Sequence, residues 1–98
     1  MTNSATQPSE LQQRIEAKLR AAFAPTSIEL RDDSAKHRHH KSADGRAHFD
    51  LRIVSAAFSG QNAVQRHREV YRVLAEEMAG PVHALAIVAL TPSEQTNA

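Results

Sequence analysis

A helix-forming stretch separates the last two strand-like segments of this chain, and that arrangement limits its folds more than any other feature. Over residues 62–78 Val64, His67, Val70, Tyr71, Leu74, Ala75 and Met78 fall on one side of a helical wheel, and Arg68, Glu69, Arg72 and Glu76 on the other. Before this stretch, residues 48–54 alternate, with Phe49, Leu51 and Ile53 on one face and His48, Asp50 and Arg52 on the other. After it, Gly80-Pro81 ends the helix, and residues 82–90 are apolar at every position except His83. That last run reads as a strand buried on both faces, or partly covered at an edge. Two strands of one sheet joined through a helix run parallel, by a right-handed crossover in nearly all cases. The starts of both strands then lie at one end of the sheet.

The remaining elements follow from capping and alternation. Ser9-x-x-Gln12 has the form of a capping box, and Leu11, Ile15, Leu19, Ala22 and Phe23 make a helical stripe that Pro25 terminates. Residues 27–31 alternate, with Ile28 and Leu30 on one face, and form an antiparallel pair with 48–54. The connection between them, from about Asp32 to Ala47, is far longer than the ~2–5 residues of an ordinary hairpin, which marks it as functional or disordered. The order helix, strand, strand, helix (single or split), strand predicts an α/β chain of the α+β sandwich kind with a three-stranded mixed sheet. Residues 1–8 are expected to be a disordered tail, 9–92 the domain, and 93–98 a polar C-terminal tail with at most a turn of helix.

Composition excludes several functions. A 98-residue chain is one small domain. Twelve Lys and Arg against eleven Asp and Glu leave a net charge of +1, too little to coat nucleic acid by bulk charge. No apolar run approaches the ~18 residues of a membrane span, and the N-terminal residues have no signal-peptide pattern, so the expected location is cytoplasmic with no membrane partner. There is no G-x-S-x-G, no Walker loop and no Rossmann glycine pattern, and the chain is read as a non-enzyme. Cysteine is absent while histidine occurs six times, so any metal chemistry carried by this chain is imidazole chemistry.

Two groups of residues stand out. The segment KHRHHKSADGR sets Lys36, Arg38, Lys41 and Arg46 against Asp44 and spaces His37 and His40 as H-x-x-H. It reads either as a solvated basic loop or as a source of metal ligands. His83 reads either as a strand-end residue with a wet tip or as a ligand on a rigid strand. The parallel crossover brings it toward His37, His39 and His40. His67 is read as a packing residue and His48 as structural. Arg66, Arg68 and Arg72 occupy the first half of the long helix and Glu76 and Glu77 its end, the reverse of what the helix dipole favours. An anion such as a phosphate or a peptide carboxylate would explain them, as would a merely solvated basic face.

Several segments together resemble the BolA family: LQQRIEAKLRAAFAP, DDSAKH, AHFDLRIVSAAFSGQNAVQRHREVY, LAEEM and PVHALAI, covering roughly residues 10 to 94. The resemblance implies a fold of order αββααβ(α), similar to class II KH domains. It implies a partner of monothiol glutaredoxins that shares a [2Fe–2S] cluster with glutaredoxin and glutathione, and that holds no cofactor when alone. The family's ligand in the VHAL strand falls on His83. Its loop ligand falls on His37, with His40 a second candidate. Histidine on one iron gives Rieske-like ligation. The resemblance also implies a DNA-binding transcriptional regulator of stress response and cell shape, with the RHR helix (Arg66, Arg68 and Arg72 in this chain) as the contact. KH-style RNA binding uses a GXXG loop, and here Ser59-Gly60-Gln61-Asn62-Ala63 lacks the second glycine. The cluster-sharing adaptor is the leading expectation, and a DNA-binding regulator the alternative. A mononuclear metal protein using His37, His40 and His83 is a further alternative. The sequence leaves a homodimer of the free protein open.

Overall fold

The computed structural model describes residues 9–33 and 47–95. Helix α1 (Glu10–Phe23) begins where Ser9 Oγ accepts from the Gln12 N–H at 3.0 Å. The reciprocal half of the expected box does not form. The Gln12 side chain instead donates from Nε2 to the Leu30 carbonyl at 2.8 Å. The helix ends on Ala24, which takes a left-handed conformation (φ 45) ahead of Pro25. Ile15, Leu19 and Phe23 are buried and Leu11 is half-buried, but Ala22 is exposed, so the apolar stripe is narrower than the sequence suggests.

Strands β1 (Ser27–Asp32) and β2 (Ala47–Val54) pair antiparallel, with Leu30 opposite Leu51. A single 3-10 turn (Ala56–Phe58) follows, then Gly60 with φ 81, a conformation that suits a residue without Cβ. Ser55 anchors this corner: its buried hydroxyl donates to the Phe23 carbonyl and accepts from the Ala57 N–H. Helix α2 (Ala63–Val73) opens with a reciprocal capping box between Asn62 and Gln65. Leu74 interrupts the helical run, and α3 (Ala75–Ala79) completes it. Strand β3 (Val82–Leu90) then pairs parallel with β2, and α4 (Pro92–Gln95) closes the described chain. The sheet order is β1-β2-β3, and the mixed sheet has the expected topology. Among the described residues the fold is α+β, with a three-stranded mixed sheet and four helices.

The helices cover one sheet face. Leu30, Phe49, Leu51, Ile53, Leu85 and Ala89 meet Ile15, Leu19, Phe23, Phe58, Val70 and Leu74 in one core. Each fully buried large apolar side chain stabilises the fold by roughly 1.5–3 kcal/mol. The Phe23 and Phe58 rings pack with centroids 4.9 Å apart. Among the described residues no element covers the opposite face, and β3 is an edge strand with Ala84, Ala86 and Val88 exposed, the partly covered form of the expected strand.

The α2–α3 segment differs most from its apolar pattern. Val64, Tyr71 and Ala75 are exposed, and the buried face runs through Arg66, Val70, Leu74 and Glu77. Apolar periodicity missed this face because two of its four members are charged, each paired with a side chain from another element. Glu77 Oε2 accepts from Arg14 Nε at 2.9 Å and lies 2.8 Å from Lys18 Nζ, tying α3 to α1. Its Oε1 is buried without a hydrogen-bond partner among the described residues. Residues 93–95, expected as tail with at most a turn of helix, lie in the one-turn α4, from which Glu94 reaches Arg66. Among the described residues no helix is long and apolar enough to cross a membrane.

Candidate functional site

Parallel pairing starts β2 and β3 at the same end of the sheet. The Ala47 N–H donates to the Pro81 carbonyl at 2.8 Å, and Ala47 pairs with Val82. One residue later the register slips: His48 pairs with Ala84, so that His83 falls at the slip. His83 is thus the extra residue of a β-bulge, a device that re-aims a side chain. It is exposed, and its ring sits beside that of half-buried His48, with centroids 5.0 Å apart and planes tilted by 52°. Both imidazoles stand on strand backbone, so little conformational freedom separates them.

Parallel connectivity places His83 at this end of the sheet from sequence alone, whereas nothing in the pattern singles out His48. A polar residue opening a strand looks like ordinary surface. Register would have revealed it, because the first residues of two parallel neighbours lie side by side. His37 and His40 lie outside the described residues. Their segment is anchored at both ends beside the imidazole pair: the Asp33 N–H donates to the His48 carbonyl at 2.7 Å, and Ala47 leads directly into His48. Among the described residues no three His, Cys, Asp or Glu side chains gather as a metal site, so the mononuclear reading rests on the loop histidines.

The three arginines of α2 have separate fates. Arg66 is buried, with 10% of its side chain exposed. Its guanidinium grips Glu94 with two prongs, Nη1 to Oε1 at 2.7 Å and Nη2 to Oε2 at 3.1 Å. It also donates to the carbonyls of Ala89 and Gln61 and lies 6.0 Å from the Phe58 ring centre. This explains a basic residue near the start of a helix without an external anion, since a tertiary clasp outweighs a dipole effect of ~0.3–1 kcal/mol. The Arg66 prongs, with the Thr91 N–H, pull the Glu94 carboxyl from its ordinary 4.5 down to about 2. Arg72 pairs with Glu69 on the same helix at 2.8 Å, which lowers the Glu69 pKa. Arg68 is exposed and makes no ion pair among the described residues. His67 is half-buried, as a packing residue would be.

A family model described as BolA-like protein matches residues 19–94. The chain is 48% identical over 80 residues to BolA-like protein 1 of Mus musculus, covering 82% of this chain and 57% of that protein. It is 44% identical over 84 residues to the DNA-binding transcriptional regulator BolA of Escherichia coli (strain K12), covering 86% of this chain and 78% of that one. It matches SufE-like protein 1, chloroplastic/mitochondrial, of Arabidopsis thaliana over only 24% of that protein's length. Among solved structures, the BolA domain of SufE1 from Arabidopsis thaliana superposes with a TM-score of 0.82 at 43% identity, covering 90% of this chain and 99% of that one. The solution structure of BolA1 from Mus musculus gives 0.81 at 39% identity, covering 99% and 77%.

Proposed function

Because this chain belongs to the BolA-like family, we propose that it is a non-enzymatic cytoplasmic adaptor that co-ligates a [2Fe–2S] cluster with a monothiol glutaredoxin and glutathione, serving iron–sulfur trafficking or iron regulation. The observation that carries the reading is the exposed His83, set on a strand bulge beside His48 at the place where the long loop is anchored. The donor chemistry fits. With no cysteine in the chain, the thiolates come from the glutaredoxin and from glutathione, and imidazoles complete the coordination. When bound, such a cluster would have Rieske-like character at the iron this chain holds.

His83 is the first ligand in this reading, and the second comes from the loop. His37 follows Asp33 by four residues, a tether of at most ~14 Å. His40 precedes Ala47 by seven, a tether of at most ~25 Å. The shorter tether favours His37. His48 packs against His83 and limits the positions its ring can take.

The test is assembly of the complex from glutaredoxin, glutathione and the single variants His83→Ala, His37→Ala, His40→Ala and His48→Ala. Loss of the visible circular dichroism of histidine ligation is expected with His83→Ala and with His37→Ala, and a smaller change with His48→Ala. A wild-type spectrum and cluster lifetime with His83→Ala would overturn the reading. The second reading, a DNA-binding regulator, draws on the Escherichia coli relative's name. In this chain it rests on Arg68, because Arg66 and Arg72 already hold carboxylates.

A further inference from the structure

The sheet face turned away from the helices carries residues that neither the imidazole pair nor the arginines of α2 use. Across β1 and β2 it presents a square of four charges, with Glu29 opposite Arg52 and Arg31 opposite Asp50. β3 extends both rows, setting Val88 beside Arg52 and Ala86 beside Asp50. These six residues line one shallow concavity. Arg31 and Asp50 lie 3.0 Å apart yet keep much of their side chains in solvent, and Val88 is 50% exposed.

We propose that a second copy of this chain docks here, sheet face on sheet face. The two-fold axis lies in the plane of the interface, across the strands, between the two rows. It lays each strand on its own counterpart in the antiparallel sense and exchanges the rows. Glu29 then meets Arg31 of the other copy, Asp50 meets Arg52, and Ala86 meets Val88, so opposite charges face each other and apolar meets apolar. Other axes do worse. One running along β2 sets Asp50 on Asp50 and Arg52 on Arg52. One running between β1 and β2 matches the charges but leaves the apolar side chains of β3 against nothing. Only a self-complementary patch can close a symmetric dimer.

Size sets the strength. Three strands that run together over about six residues project on the order of 300 Å², far below the ~800 Å² per partner of standard stable complexes. The dimer is therefore weak, and because its contacts include exposed charges it weakens further with salt. None of the six residues belongs to the imidazole pair, so the proposal stands apart from the cluster reading.

Sedimentation of the full chain at millimolar concentration and low salt tests it. The wild type is expected to self-associate, with at least a tenfold loss of association constant in Arg52→Asp alone, in Asp50→Arg alone and in Val88→Lys. Each of the first two variants sets like charges face to face in its own dimer. Mixed together they restore every charge pair on β2, so the mixture is expected to regain association. Nitrogen–proton correlation spectra of each variant verify the fold, and Val88→Lys serves where a β2 variant fails to fold. A strictly monomeric wild type overturns the proposal. So does a dimer indifferent to these substitutions, or folded charge variants whose mixture does not associate.

Discussion

The Arg66 guanidinium and the Glu94 carboxylate meet as two parallel hydrogen bonds, Nη1 to Oε1 at 2.7 Å and Nη2 to Oε2 at 3.1 Å. The contact joins the start of α2 to a four-residue helix at the far end of the described chain, and with the Ala89 and Gln61 carbonyls it engages three nitrogens of one guanidinium.

Arg66→Ala leaves those acceptors without their donor and is expected to cost about 2 kcal/mol, since a buried acceptor that loses its partner carries its full desolvation penalty. Arg66→Lys should recover little, because an ammonium cannot reproduce the two-pronged fork. Urea unfolding of the three proteins measures this. An Arg66→Lys midpoint equal to wild type would show that charge alone, not the fork, does the holding.

Glu94 and Glu77 both titrate below their ordinary value in the folded chain. For Glu94 the Arg66 hydrogen bonds are the main cause. For Glu77 burial pushes upward, and the Lys18 contact, its own backbone N–H and the Arg14 contact together outweigh it. A depressed carboxyl contributes stability that is complete above the unfolded pKa and lost as pH falls through the folded one. Stability is therefore expected to decline from about pH 4.5 toward about 2 through Glu94. Glu94→Gln should flatten that decline and leave the profile above it parallel to wild type. Thermal melts from pH 7 to 2 check the slope.

Glu77 is fully buried, yet its partners Arg14 and Lys18 keep 54% and 30% of their side chains in solvent. They can turn to water when the carboxylate goes. Glu77→Leu is expected to fall within about 1 kcal/mol of wild type or to exceed it, as buried ion pairs replaced by apolar groups often do. Glu77→Ala, which leaves a cavity, should cost about 3 kcal/mol. Equal and large losses in both variants would mean that the ion pairs, and not the filled volume, dominate this site.

Arg68 is where the DNA reading is exposed to test. If it contacts phosphate, Arg68→Ala lowers the slope of log affinity against log salt by ~0.9 on duplex DNA. Arg66→Lys should leave the slope unchanged, because that side chain faces inward. A slope unaffected by Arg68→Ala removes Arg68 from DNA binding.

The sequence disclosed what depends on short-range pattern and connectivity. Alternation located the core residues of β1 and β2, Pro25 and Gly80-Pro81 bounded the helices, and the parallel crossover brought His83 to the loop end of the sheet. It did not disclose what depends on partners distant along the chain. The inward turn of Arg66 requires Glu94, 28 positions away, and the burial of Glu77 requires Arg14, 63 positions away. Neither carboxylate lies at a helical or strand spacing from its partner, so both residues counted as surface charge. The register slip at His83 leaves no mark in composition, because it is a property of two strands together. The half-formed cap at Ser9 has the same origin, since Gln12 finds the Leu30 carbonyl instead of its own helix.

Side chains also close off parts of both outer strands: Gln12 takes the Leu30 carbonyl of β1, while Tyr71 and Arg66 take the Leu85 and Ala89 carbonyls of β3. A bare strand edge is an open-ended template, since each added strand offers a fresh one, and growth of that kind has no natural stop. Stoppered edges take that route away from this chain at high concentration. Association through the open sheet face obeys a different arithmetic, in which a two-fold stack uses up the surface that made it and ends at two.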